Sequence, residues 1–203
     1  RLSQIRFRRG AASHADSELK RLHSEQGLVD GPANISNGLG LSIDLKGDAK
    51  TGLIGYRGKR HAGLIDVDKP GALDIHQYWE PLYHGGLNEI ILDPDEFYIL
   101  ASREAVTIPA THAAEMTPFN PLVGEFRVHY AGFFDPGFGA GEAGGKGARA
   151  VLEVRSREVP FILEHGQIIG RLVYERLTDT PETLYGAGLN SNYQAQGLKL
   201  SKH

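Results

Sequence analysis

The chain has no cysteine. Disulfides are excluded, and so is any metal site that needs thiolate ligands. One tryptophan and one methionine leave the core to aliphatic residues, tyrosine and phenylalanine. No apolar run is long enough to cross a membrane as a helix, and no signal-peptide pattern stands out. The net charge is only -3, so no broad basic surface argues for nucleic acid. These features fit a cytoplasmic protein with neither a membrane nor a nucleic-acid partner. The 26 glycines favour turns and a β-rich fold.

The most informative stretch runs from Val128 to Ser156 and reads as a β-hairpin. Val128 to Phe134 is aromatic and β-branched, as a strand requires. Asp135-Pro136-Gly137 is a turn signal, with Pro fixing φ and Gly free to take a positive φ. Ala150 to Val154 is the return strand. Its one acid, Glu153, either points to solvent or is held in a cleft. In a desolvated cleft such a carboxylate can serve as general base or acid.

Around this hairpin the remaining elements can be placed. Arg1 to Arg9 alternates Leu2, Ile5 and Phe7 with polar residues and reads as a strand. It parallels Ile168 to Arg176. The match suggests that residues 1–9 are the last strand of a preceding repeat or arm, with 10–203 as the main domain; chance similarity is the alternative. His14 to Leu28 is a helix, with Asp16 or Ser17 as N-cap, Leu19 and Leu22 on its apolar face, and Gly27 closing it. Gly38 to Gly47 alternates Leu41, Ile43 and Leu45 with Ser42, Asp44 and Lys46, predicting a half-buried strand with Asp44 exposed. Residues 48–86 read as a hairpin or insertion, and His61, His76 and His84 are spaced too irregularly for a metal cluster. Ile90 to Leu92, the turn D-P-D-E, and Phe97 to Ser102 predict a second hairpin. Short strands at this spacing imply a mainly β barrel or jelly roll with one N-terminal helix.

D-P-G-F-G followed by V-L-E-V, and the tail with Y-Q-A-Q-G, resemble the dCTP deaminase/dUTPase family, on its deaminase branch. The resemblance covers Ile35 to the end and implies a distorted dUTPase-like β-barrel. It implies hydrolytic deamination of dCTP to dUTP and ammonia, with Mg²⁺ carried on the nucleotide. With no cysteine, the chain cannot build the zinc site of metal-dependent nucleobase deaminases. By the resemblance, Glu153 activates water, Asp135 contacts the sugar, and Ala131 faces the base. Tyr185, Tyr193 and Gln196 belong to a closing tail over the nucleotide. It further implies trimers, or a pseudo-trimeric assembly of duplicated domains, with sites between subunits. One departure is large. The family's phosphate motif, G-R-S-S-x-x-x-R, is replaced by Glu115 to Phe126, which holds neither paired serines nor an arginine. Thr117 and Asn120 do not replace a guanidinium fork. Phe133 stands where an arginine or polar residue is common. This leaves three readings: a deaminase whose site is completed by another half or subunit, a dUTP pyrophosphatase or bifunctional enzyme, and a non-catalytic nucleotide-binding half.

Overall fold

A computed structural model describes residues 15–69, 71–118, 126–129, 133–141, 147–156, 158–186 and 198, with only the backbone at 118 and 126–129. The predicted opening strand, Arg1 to Arg9, lies outside these residues, as do Ala131, Tyr193 and Gln196.

The described chain is mainly β and antiparallel. Helix α1 spans Asp16–Gln26 and buries Leu19 and Leu22. Gly27 ends it in the left-handed region at φ 65, its N–H bonding His23 O. The predicted N-cap is not used. Ala15 holds that position without a side-chain cap. The Asp16 carboxylate instead accepts from the Asn37 and Gly38 amides at 2.8 and 3.0 Å. Those bonds hold its pKa below the ordinary value and tie the helix to the approach to strand β1.

One sheet has the order β1-β11-β6-β8, formed by β1 Leu39–Ser42, β11 Ile168–Arg176, β6 His112–Pro118 and β8 Phe133–Phe134. A five-stranded sheet has the order β3-β2-β5-β9-β7. Its members are β2 Leu53–Gly58, β3 Trp79–Tyr83, β5 Phe97–Val106, β7 Phe126–His129 and β9 Ala148–Ser156. A two-stranded ribbon pairs β4 Glu89–Leu92 with β10 Phe161–Glu164. A one-turn helix, α2 Ile75–Tyr78, precedes β3.

Strand β5 joins the layers because it is irregular. Its register with β9 shifts between Ala101 and Ala105. At the shift, buried Ser102 donates to Glu104 O at 2.7 Å and accepts from Ala150 N at 2.8 Å. The Glu104 carboxylate takes the Ser42 amide and hydroxyl at 2.8 and 2.6 Å, and Ile43 bridges Ser102. Both ends of β5 pair with β9 in the large sheet, and the bulge between them turns Ser102 toward Ile43, the residue after β1. Between the layers, Leu41, Ile43, Leu100, Leu152, Leu172 and Tyr174 are each at most 1% exposed. The Tyr174 hydroxyl, fully buried, donates to Thr107 O at 3.0 Å, and desolvation raises its pKa far above the ordinary range.

Three sequence expectations change. The hairpin from Ile90 to Ser102 does not form, because β4 pairs with β10 and β5 pairs with β2 and β9. The strand predicted over Gly38 to Gly47 is not half-buried; all of β1 is buried, and so is Asp44. The strand predicted over Val128 to Phe134 serves two sheets, with β7 pairing β9 and Phe133–Phe134 pairing β6.

Candidate active site

The D-P-G turn forms as the sequence predicts. Phe138 N donates to Asp135 O at 3.1 Å, and Gly137 adopts φ 93. Gly137 N then bonds Ile108 O, and Ile108 N bonds Phe138 O, which fixes the turn to the chain leaving β5. Phe138 packs edge-on against Phe134 at 5.1 Å and tilts against Tyr185 at 5.6 Å. Tyr185 N donates to Pro136 O at 2.8 Å. Two predicted nucleotide contacts, Asp135 and Tyr185, are thus brought onto one turn. A side chain at position 137 would put its Cβ 2.8 Å from Leu184 Cβ, so this docking requires glycine.

Asp135 is half-buried, and desolvation raises its pKa above the ordinary 3.8. No hydrogen-bond donor among the described residues reaches its carboxylate. A carboxylate kept partly dry without a partner costs stability and is available to a ligand hydroxyl. Because its folded pKa is raised, the cost is present above that value and vanishes as pH falls below the unfolded value near 3.8. Asp135→Asn is therefore expected to raise stability at neutral pH by a few tenths of a kcal/mol, the gain shrinking toward pH 4. Nucleotide affinity should fall at the same time. Chemical denaturation at pH 7 and pH 4, with calorimetric titration of dCTP, checks both. Lower stability at pH 7 would show that Asp135 is a structural group.

Glu153 sits midway along β9, opposite Ile99 of β5 and His129 of β7. It occupies the outward face of the sheet and is exposed in the single chain, with inward Leu152 and Val154 on either side. No hydrogen bond or ion pair among the described residues links it to Asp135 or Tyr185. The turn is tied to the start of its strand, since Gly147 N donates to Gly139 O at 2.7 Å.

A third group gathers around Asp44, the acid that matches the family's S-x-D-L-R-L-G strand. Asp44 was expected to be exposed, yet it is 5% exposed. Its carboxylate pairs with Arg149 of β9 and accepts from Lys46 N and Gly47 N at 2.9 and 3.3 Å. His165 Nδ1 lies 3.6 Å from it and accepts from Leu45 N at 3.1 Å. Burial pushes the His165 pKa down, against a smaller opposing pull from Asp44. The side-chain partners Arg149 and His165 lie more than a hundred residues from Asp44 in sequence, so no local pattern could have shown the cluster. In the segment that replaces the phosphate motif, the Thr117 hydroxyl donates to Arg171 O at 3.3 Å, and Asn120 is outside the described residues. Phe133, on the outward side of β8, is 59% exposed.

This antiparallel β-domain, with its D-P-G turn clasped by a tyrosine segment, is similar in fold to a dCTP deaminase. The crystal structure of 2'-deoxycytidine 5'-triphosphate deaminase from Agrobacterium tumefaciens matches it with a TM-score of 0.79 and 62% identity, covering 85% of this chain and 51% of that one. The chain belongs to the family of the 2'-deoxycytidine 5'-triphosphate deaminase C-terminal domain, whose model matches residues 15–203. Among curated relatives, the "dCTP deaminase, dUMP-forming" of Beutenbergia cavernae is 33% identical over 110 residues, 52% of this chain and 53% of that protein. The protein of the same name from Halobacterium salinarum is 32% identical over 113 residues, 54% of this chain and 53% of that one. The chain spans about half the length of the curated relatives it matches.

Proposed function

We propose that this domain takes part in hydrolytic deamination of dCTP, supplying one side of a site that a second domain or subunit completes. The observation that carries this reading is the Asp135–Phe138 turn with Tyr185 docked on it, within a chain whose family is that of dCTP deaminase. Asp135 takes the sugar. Glu153 deprotonates the water that attacks C4 of cytosine and passes protons to N3 and the leaving amine. Because Glu153 is exposed in the single chain, the low-dielectric setting that such chemistry needs must come from a neighbouring surface. That requirement favours a homo-oligomer, a trimer or a pseudo-trimeric array of duplicated domains. Ala131, Tyr193 and Gln196 complete the base and tail contacts, and Mg²⁺ arrives with the triphosphate.

The product is dUTP, or dUMP, the product that the name of the relatives gives for them; dUMP would require pyrophosphate release to follow on the same protein. Incubation with dCTP and separately with dUTP, followed by separation of dUTP, dUMP and ammonia, distinguishes the two. Ammonia with dUTP supports simple deamination. Ammonia with dUMP supports the coupled reaction. Release of dUMP from dUTP without ammonia from dCTP supports a pyrophosphatase. A second reading, a non-catalytic nucleotide-binding half, draws on the missing arginine between Glu115 and Phe126. Nucleotide binding without turnover by the complete assembly would select it.

The tail gives a separate test. Removing residues 189–203 is expected to weaken dCTP binding by about tenfold or more while leaving the thermal midpoint nearly unchanged, because the segment has little apolar pattern. A large drop in the midpoint would make the tail part of the fold.

A further inference from the structure

Two surfaces away from the D-P-G turn carry groups that the single chain leaves unsatisfied. The first is the outer face of the β4–β10 ribbon. Directly paired residues in an antiparallel ribbon share a face. Glu89 pairs with Glu164, and Ile91 pairs with Ile162. The alternate residues, Ile90, Leu92, Phe161 and Leu163, pack on the core. The glutamate pair and the isoleucine pair therefore stand side by side in solvent, with Ile91 56% and Ile162 55% exposed. Like charges directly opposite one another are destabilising. Among the described residues, neither carboxylate has a basic partner.

The second is the outward face of the five-stranded sheet. Arg155 of β9 pairs with Phe97 of β5. Its guanidinium carbon lies 4.7 Å from the centre of the Phe97 ring, and that ring tilts against Trp79 at 5.7 Å. The two rings meet because Gly58 lies between them. It pairs with Trp79, and a Cβ there would stand 3.6 Å from that of Phe97. Arg127 holds the register position on the other side of Arg155. Arg155 is exposed and has no carboxylate partner among the described residues. Glu153, two residues earlier on β9, lies on the same face.

We infer that these two surfaces are made for each other: the β4–β10 ribbon of one copy of the chain packs on the Arg155–Phe97–Trp79 face of a second copy. The charges are complementary, two carboxylates against a guanidinium already seated on an aromatic ring. Arginine and aromatic residues are the types enriched in protein interfaces. The spacing also fits. Along the ribbon, the glutamate and isoleucine pairs are two residues apart, on the order of 7 Å. Across the sheet, the step from Arg155 to the two rings is one to two strand spacings, on the order of 5 to 10 Å. A ribbon crossing the strands thus sets its glutamates at Arg155 and its isoleucines on Phe97 and Trp79. The occupant is a second copy because both complementary surfaces belong to this chain. The contact rests on the proposed composite site and deepens it, since it covers the face that holds Glu153 and supplies the drier setting a general base needs.

The test is sedimentation velocity of the full chain from low to high micromolar concentration, where the parent is expected to associate. Arg155→Glu and Glu164→Arg should each weaken association by about tenfold or more. The two changes in one chain should recover most of that loss, because the charges are exchanged rather than removed. Thermal midpoints should stay near the parental value, since both positions are exposed. Arg21→Glu, the same reversal at a 71% exposed position on α1, should leave association unchanged. If a charge variant fails to fold, Ile162→Ser carries the comparison and should also weaken association. A parent that sediments as a monomer throughout would leave the ribbon to a different partner and overturn the inference. So would single variants that associate like the parent, or a double variant without recovery. The two proposals fail separately. Association that Arg155→Glu disrupts, with no ammonia released from dCTP by the parent, keeps the interface and removes the function. Deamination by a chain that stays monomeric does the reverse.

Discussion

Replacing Glu153 by Gln is expected to lower dCTP deamination by the complete assembly by about two to four orders of magnitude, the range that general acid–base groups supply. The amide keeps the shape and hydrogen-bonding reach of the side chain but cannot take a proton from water. Affinity for dCTP should change little, since sugar and phosphates are held elsewhere. The structure sharpens this expectation. Glu153 is exposed on an outward sheet face, so the substitution should alter single-chain stability by no more than about half a kcal/mol. An effect on rate without an effect on folding or on the oligomeric state, followed by analytical ultracentrifugation, then points to direct participation. Turnover near the parental value at saturating dCTP would remove Glu153 from the mechanism and leave this domain as a binding half.

That contrast shows which parts of the molecule can be read locally. The D-P-G turn could, because its conformation is written in three adjacent residues and needs only a positive φ at Gly137. Helix α1 could, because Leu19, Leu22 and Gly27 follow helical spacing and termination. Its cap could not. The Asp16 carboxylate serves amides 21 and 22 residues away, and nothing near it in sequence announces them. The same limit explains the missing hairpin. Both β4 and β5 have strand patterns, but Ile90 to Leu92 finds its partner at Phe161 to Leu163, brought back by the chain after β9. Asp44 shows the limit at the site itself. Alternation placed it outward, yet Arg149 and His165 give it partners within the packed chain, and a buried charge is tolerated only with such partners.

Gly139→Ala is expected to cost about 4 kcal/mol or more, a large part of the stability of a domain of this size. Two effects combine. Gly139 has φ 67, where an L side chain costs roughly 1 kcal/mol or more. Its Cβ would also meet Val106 O at 2.1 Å and Ala148 N at 2.8 Å, both backbone atoms of paired strands. Neither can retreat without breaking the junction where the D-P-G turn meets β5 and β9. Gly52 separates the two effects. It has φ 70 and nothing within 4 Å of its Cβ position, so Gly52→Ala should cost only about 1 kcal/mol. Urea unfolding of both variants beside the parent measures the difference. A Gly139→Ala midpoint as high as that of Gly52→Ala would mean that the turn is not held against β5 and β9, and Asp135 would lose the rigid mount on which its role depends. Loss of soluble folded protein for Gly139→Ala, with Gly52→Ala folded, is the result expected if the close approach sets the geometry of the site.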